Sequence, residues 1–113
     1  MKLDIKKVKI VVTVPADSLE EVRNAMCEAG AGIIGDYDHC SYSSKVVGTF
    51  RPNEKANPYI GERNKLELVN EEKLEVVCDV KKVSKVIAAL RKTHPYEEPA
   101  IEITPLLSEE LFI

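Results

Sequence analysis

The chain has 113 residues, of which 44% are hydrophobic and 31% charged, with a formal net charge of -3 and no tryptophan. Binding to nucleic acid needs clustered basic residues or aromatic rings for stacking, so this composition argues against a nucleic-acid partner. No apolar run approaches the roughly 20 residues of a membrane span, and three widely spaced cysteines fit reduced thiols. We therefore expect a cytoplasmic protein without membrane contact. Its residues 1–113 should form one domain, with a core at about 5–105 and a tail at 106–113.

The first half of the chain has the pattern of a strand followed by a helix. Residues 5–14 are rich in β-branched side chains, with valine or isoleucine at alternate positions, which predicts a strand. Asp17 or Ser18 is expected to begin a helix, through a capping box with the glutamates that follow. Residues 30–32, Gly-Ala-Gly, should end that helix, because glycine adopts the left-handed backbone of a helix terminus.

The centre of the chain carries a segment that a minimal fold does not require. Residues 36–44 alternate polar with aromatic or small side chains, and this pattern predicts a strand that continues to Phe50. Residues 51–61 contain two prolines and a closing glycine, which indicates a long loop. Long loops in compact domains are usually functional or disordered, and Tyr59 and Ile60 predict that this loop is anchored at its end.

The second half of the chain repeats the strand-helix pattern of the first half. Residues 73–78 alternate like a strand, Asp79 is a candidate cap, an amphipathic helix ends at His94, and residues 100–104 form a last strand. Two strand-helix-strand units predict an α+β, ferredoxin-like βαββαβ fold, with an antiparallel sheet, both helices on one face and an extended central hairpin. Val11 and Val77 should lie on the opposite face, so we expect a second subunit to cover it.

Five separated motifs occur together in this chain. They are Gly30-Ala31-Gly32 with Ile34-Gly35-Asp36-Tyr37, His39-Cys40, Gly48-Thr49-Phe50-Arg51-Pro52, Asn57-Pro58-Tyr59-Ile60-Gly61 and His94-Pro95-Tyr96-Glu97-Glu98-Pro99-Ala100. From about residue 9 to 105 the chain resembles the YqfO-type domain of the NGG-interacting-factor-like proteins, here as a stand-alone chain. The last motif is also similar to one in CutA, a trimeric ferredoxin-like protein related in shape to the PII signalling proteins. The resemblance implies a CutA/PII-like fold and a homo-oligomer, most simply a trimer.

In the longer members of this family the domain is inserted between two halves that hold a dinuclear metal centre. The ligands of that centre lie in the two halves, which this chain lacks. Neither the metal centre nor the GTP cyclohydrolase label sometimes attached to such proteins is therefore carried over.

A group of residues has the character of metal ligands: His39, Cys40, His94, Glu97 and Glu98. Imidazole with thiolate or carboxylate suits a divalent metal such as zinc or copper. The alternative is structural. In that interpretation His94 caps the second helix, and Tyr96 and the glutamates make hydrogen bonds at a subunit interface.

An enzyme is not expected. Neighbouring residues on a strand point to opposite faces, so His39 is a poor base for Cys40. Cys27 and Cys78 lie in apolar patterns and should be core residues. The G-x-G-x-x-G spacing at 30–35 follows a helix rather than a strand, which is the wrong context for a dinucleotide site.

Two functions stay open. The first is a non-catalytic, oligomeric binding or regulatory module in which the long loop and the turn after the second helix hold a small ligand or a partner. The residues expected to form this region are Arg51, Asn57, Pro58, Tyr59 and Tyr96. The second is a divalent-metal-binding protein that uses His39, Cys40, His94 and either Glu97 or Glu98.

Overall fold

Four antiparallel strands and two α-helices make up the fold in a computed structural model, which describes residues 4–113. The elements in chain order are β1 (Lys7–Pro15), α1 (Leu19–Glu28), β2 (Tyr42–Phe50), β3 (Glu67–Asp79), α2 (Val83–Thr93) and β4 (Ile101–Leu106), with short 3-10 helices at Ala16–Ser18, Val80–Lys82 and Glu109–Leu111. The strand order is β2-β3-β1-β4, and every neighbouring pair is antiparallel. The predicted ferredoxin-like βαββαβ fold is confirmed. Within residues 4–113, no helix has the length and apolar character needed to cross a membrane.

The core lies between one face of the sheet and the two helices. The alternating valines and isoleucine of β1 point into it, as predicted, and so do alternate residues of β3. Val22 and Met26 of α1 and Val86 and Leu90 of α2 are fully buried against them. Each such side chain contributes roughly 1.5–3 kcal/mol through removal from water. The apolar period of two in the strands and of about 3.6 in the helices therefore selects the face that each element buries.

The two helical starts differ from each other in their capping. Ser18 precedes α1 but makes no side-chain hydrogen bond, so the predicted capping box is wrong. Its backbone is already helical, at φ -102° and ψ -3°, whereas a capping side chain needs extended geometry. Asp79 has that geometry, at ψ 135°, and its carboxylate accepts from the backbone N–H of Lys81 at 2.8 Å. The predicted cap at Asp79 is confirmed.

The segment before β2 is a turn and not the predicted strand. Ile34 and Tyr37 exchange two backbone hydrogen bonds of 2.9 and 3.0 Å around Gly35, and His39 has a positive φ of 53°. Such left-handed geometry breaks an extended run, so the strand begins only at Tyr42. The alternation of polar and aromatic residues at 36–41 therefore does not report a pleated strand. His39 and Cys40 lie in this turn.

Strand β3 is much longer than the predicted 73–78. Its residues 67–70 pair only with β2, because β1 stops opposite Glu71. Residues 47–50 and 67–70 thus form an arm that extends past the rest of the sheet. On the face of the sheet that carries the helices, this arm leaves Val47 62% exposed and Leu68 67% exposed. The charged run at 71–73 interrupts the apolar alternation and hides the full strand from a reading of the sequence.

The second face of the sheet is less open than expected. Val11, predicted to be bare there, is buried, and Val77 is half-buried. Lys9 and Glu75 form an ion pair of 2.9 Å across these two strands, so their aliphatic stems cover the valines. The arm, in contrast, exposes large apolar side chains, as do the turn after α1 and the C-terminal segment.

The turn after α1 generates a test of the fold. Gly32 has a φ of 76°, and an added Cβ would meet the Cys40 carbonyl oxygen at 2.8 Å. Gly35 has a φ of 56°, but a Cβ there would meet nothing within 4 Å. We expect Gly35→Ala to cost about 1–2 kcal/mol of stability for its backbone alone. Gly32→Ala should cost a further ~1–3 kcal/mol for overpacking. Urea unfolding measures both losses, and equal losses would contradict the packing of this turn.

Candidate functional site

The long loop and the turn after α2 meet at one cleft. Its volume is about 160 Å³, and its lining is mostly apolar. The backbone N–H of Asn57 in the loop donates to the carboxylate of Glu97 in the turn at 3.3 Å. The aromatic and charged residues of the lining are Phe50, Arg51, Tyr59, Tyr96, Glu97 and Glu98. The two segments singled out from the sequence therefore form one surface feature in the folded chain.

Tyr96 occupies the middle of an aromatic group. Its ring centroid lies 6.1 Å from that of Phe50, 6.4 Å from that of Tyr59 and 4.9 Å from that of His94. All three pairs are tilted by 52–53°. These distances and tilts are those of favourable aromatic pairs. Prolines on both sides of the turn restrict the backbone that presents Tyr96.

The hydroxyl of Tyr96 donates to a buried carboxylate that sequence reasoning missed. Its partner is Oε2 of Glu71, at 2.9 Å, and Glu71 is only 6% exposed. Burial, and then the hydrogen bond and negative charge of Glu71, raise the pKa of Tyr96. The phenol therefore stays protonated and serves as the donor that a buried carboxylate requires.

A glycine signals this arrangement in the sequence. Gly48 pairs with β3 next to Glu71, and a Cβ on it would collide with Oε1 of Glu71. Glycine inside a strand often marks a close approach of another group. Gly48 stands between Val47 and Thr49, in a strand of otherwise larger residues. This glycine is the signal in the sequence that another side chain crosses the sheet at this point.

His94 is buried and holds the turn against the sheet. It is 6% exposed, and its backbone N–H closes α2 by donating to the Leu90 carbonyl at 2.8 Å. Its ring Nε2 lies 2.8 Å from the Thr13 carbonyl, and its Nδ1 lies 3.0 Å from the backbone N–H of Tyr96. A carbonyl only accepts and an N–H only donates, so the ring is neutral with its proton on Nε2. The imidazole thus joins β1 to the turn rather than facing the end of α2.

Two of the other proposed metal ligands, His39 and Cys40, lie in a different part of the structure from His94. His39 contacts the carboxylate of Asp38 at 2.8 Å, and the thiol of Cys40 is near a backbone carbonyl of the same turn. The turn that contains His39 and Cys40 is attached to the sheet where the N–H of Gly32 donates to the carbonyl of Val77, which lies opposite Lys9 of β1. His94 is attached at the carbonyl of Thr13, further along β1. Four residues along β1 separate these two points by about 13 Å.

The five proposed ligands therefore do not converge in one subunit. Among residues 4–113, no three His, Cys, Asp or Glu side chains are grouped to hold a metal ion. Both ring nitrogens of His94 are already engaged within the subunit. A zinc or copper site stays a prediction, and a second copy would have to complete it.

The burial of His94 makes stability depend on pH. Burial lowers its pKa, while the hydrogen bond to Thr13 and the charge of Glu71 act in the opposite direction. In the unfolded chain the imidazole takes up a proton near pH ~6.5. The stabilising effect of the neutral ring is therefore complete above that pH and is lost as the pH falls below it.

We expect urea unfolding between pH 8 and pH 5 to show a steeper loss of stability in the wild type than in His94→Gln. His39→Gln, which removes the other histidine of the chain and leaves the His94 ring in place, is the matched control. The same slope in His94→Gln as in the wild type would contradict this assignment.

Gly48 and Glu71 are tested by a mutant cycle. Gly48→Ala should cost about 1–3 kcal/mol in the wild type, because the added methyl group overpacks against Glu71. In a Glu71→Ala background it should be neutral or stabilising by about 0.5–1 kcal/mol, since alanine is otherwise better than glycine inside a strand. Glu72→Ala, which leaves Glu71 in place, should preserve the full cost. Equal costs in all backgrounds, measured by chemical unfolding, would place the clash elsewhere.

Comparison with curated proteins finds relatives of this chain. No family model matches it. It is 48% identical over 101 residues to a GTP cyclohydrolase 1 type 2 homolog of Halalkalibacterium halodurans, covering 89% of this chain and 27% of the relative. The protein of the same name from Bacillus subtilis is 48% identical over 98 residues, covering 87% and 26%. The chain thus spans about a quarter of the length of these curated relatives.

Solved structures give the same relationship. A Bacillus cereus protein related to NIF3 matches with a TM-score of 0.79 at 41% identity, covering 93% of this chain and 27% of that one. CutA1 from Shewanella sp. SIB1 matches with a TM-score of 0.70 over 93% of this chain and 85% of its own, at 19% identity, which shows a shared fold alone. The chain is therefore homologous to a segment of about a quarter of the length of NIF3/YqfO-family proteins, and it shares its fold with CutA1.

Proposed function

We propose that this chain is a non-catalytic, oligomeric binding or regulatory module whose cleft receives a small ligand or a group from a partner. The cleft itself carries this proposal. The polar groups of Glu71, His94 and Tyr96 beside the cleft are hydrogen-bonded to one another or to the backbone. These bonds hold one side of the cleft in place. An apolar hollow with a few polar groups at its edge is the usual form of a small-molecule site.

The state of the titratable groups supports a role other than catalysis. General acid–base chemistry needs a group with a pKa near the working pH and within reach of the reactant. His94 is held neutral with both nitrogens occupied, and the pKa of Tyr96 is raised. Burial also raises the pKa of Cys27 and of Cys78, which disfavours the thiolate needed for nucleophilic attack. The cyclohydrolase in the name of the relatives belongs to proteins about four times as long.

The exposed arm supports assembly. Val47 and Leu68 project from a part of the hairpin that α1 and α2 do not cover, with Leu66 exposed beside them. Contiguous apolar surface of this kind marks interaction sites. Together with the likeness to CutA, this favours a homotrimer in which the arm packs on a neighbouring copy.

The three cysteines are free thiols, which suits the reducing cytoplasm.

Light scattering coupled to gel filtration tests the assembly. We expect the wild type to have three times the mass of the 12.6 kDa chain. A Val47→Ser/Leu68→Ser variant should shift toward the monomer while keeping its circular dichroism spectrum, because it removes the apolar arm surface. Val80→Ser is the matched control, since Val80 is also exposed but lies at the other end of β3.

A monomeric wild type would overturn the assembly. The role of the turn is tested separately with Glu97→Ala/Glu98→Ala, which should alter the oligomer or its response to a ligand and leave the monomer fold intact. An unchanged mass and an unchanged response in that variant would remove the turn from the function.

A further inference from the structure

We propose that the cleft binds a small organic cation, specifically the methylated ammonium head group of an aliphatic ligand. This names the ligand class for the site described above and so rests on the proposed function. Three features of the described residues point to it: an aromatic lining, a buried carboxylate hydrogen-bonded to the hydroxyl of the central ring, and two carboxylates against one guanidinium in the lining.

The aromatic lining comes from three different segments. Phe50 ends β2, Tyr59 lies in the long loop and Tyr96 lies in the turn, and all three line the cleft. Tyr59 is 58% exposed, so much of its ring surface is accessible. The faces of aromatic rings carry partial negative charge, and several rings around one hollow are the usual receptor for a methylated ammonium group.

The central ring is made more favourable for a cation by its partner. The hydroxyl of Tyr96 donates to Glu71, a carboxylate more than nine-tenths buried. Donation to an anion shifts electron density from the O–H bond toward the ring, which strengthens the negative face. The carboxylate of Glu71 also lies 2.9 Å from the phenol oxygen, in surroundings that water screens poorly.

The charged residues at the edge favour the same sign of ligand. Glu97 and Glu98 contribute two carboxylates, against the one guanidinium of Arg51. Glu97 is held in place by the N–H of Asn57. A second guanidinium, that of Arg63, donates to the carbonyl of Ala56 in the lining at 2.7 Å. The buried carboxylate of Glu71 together with Glu97 and Glu98 still outnumbers these two cations, so the charges near the cleft favour a cation over an anion.

The size of the cleft limits what it can hold. Its volume of about 160 Å³ is well below the roughly 300–1,000 Å³ of pockets for drug-sized molecules. A compact head group therefore fits, and the rest of a longer ligand would extend into solvent or onto a neighbouring copy.

A titration of the ¹⁵N-labelled chain of 113 residues, followed by NMR, tests the proposal with three compounds. Choline chloride carries the methylated ammonium, 3,3-dimethyl-1-butanol is its neutral isostere, and sodium acetate is a small anion. We expect choline to give saturable shifts at the amides around the cleft. The neutral isostere should bind about tenfold more weakly, because it lacks the attraction of the charge to the rings.

Variants at the cleft should change the affinity for choline in opposite directions. Tyr59→Leu should weaken binding about tenfold, while Tyr59→Phe, which keeps the ring, should leave it nearly unchanged. Tyr59→Phe keeps the ring contact with Tyr96, and the spectra of Tyr59→Leu report whether the loop keeps its place without it. Glu97→Gln/Glu98→Gln should weaken binding, and Arg51→Gln should tighten it.

Three results would each overturn the proposal. The first is the absence of saturable shifts with choline. The second is equal affinity for choline and its neutral isostere, which would make the cleft a purely apolar site. The third is binding of acetate that Arg51→Gln abolishes, which would make it an anion site. In each case a normal oligomer mass and its loss in the arm variant would leave the assembly function standing.

Discussion

The hydrogen bond from Tyr96 to the buried carboxylate of Glu71 is the interaction on which the cleft depends. A charge removed from water must be paired or hydrogen-bonded, and in this chain the donor comes from a turn 25 residues away in sequence. That requirement fixes the position of the Tyr96 ring. The ring in turn packs against Phe50 and Tyr59, so it joins the long loop to the end of β2, beside the hydrogen bond from Asn57 to Glu97. Gly48 leaves the space that the carboxylate occupies.

His94 and Tyr96 together hold this turn against the sheet. His94 ends α2 with its backbone and joins β1 to the turn with its ring, and Tyr96 joins the turn to β3. Both histidine nitrogens are used in this way, which explains why a residue with metal-ligand chemistry acts here as a structural bridge within the subunit. As a consequence, the polar groups of these side chains are hydrogen-bonded to each other or to the backbone, and the Tyr96 ring is held where it lines the cleft.

The likeness to known proteins has two parts that carry different information. Relatives at 48% identity show that the chain is homologous to a segment of NIF3/YqfO-family proteins, while CutA proteins below 25% identity share the fold. The chain corresponds to about a quarter of the longer proteins. The cleft and the arm belong to this quarter alone, so an explanation of what the domain does starts from these two features.

The sequence by itself determined the layers of the fold and the location of the site segments. The period of two in the strands, the period of about 3.6 in the helices and the glycines at 30–32 are local signals, and they predicted the ferredoxin-like order correctly. Prolines and aromatic residues are also local signals, and they marked the long loop and the turn after α2.

Only the tertiary structure decided which residues face each other. Alternation cannot show that 36–41 is a turn, because left-handed geometry at Gly35 and His39 overrides it. Nor can it show that β3 passes beyond β1, that His39 lies far from His94, or that Glu71 is buried under Tyr96. These facts depend on contacts between residues distant in sequence, and the free energy of such contacts is set by packing and desolvation in three dimensions.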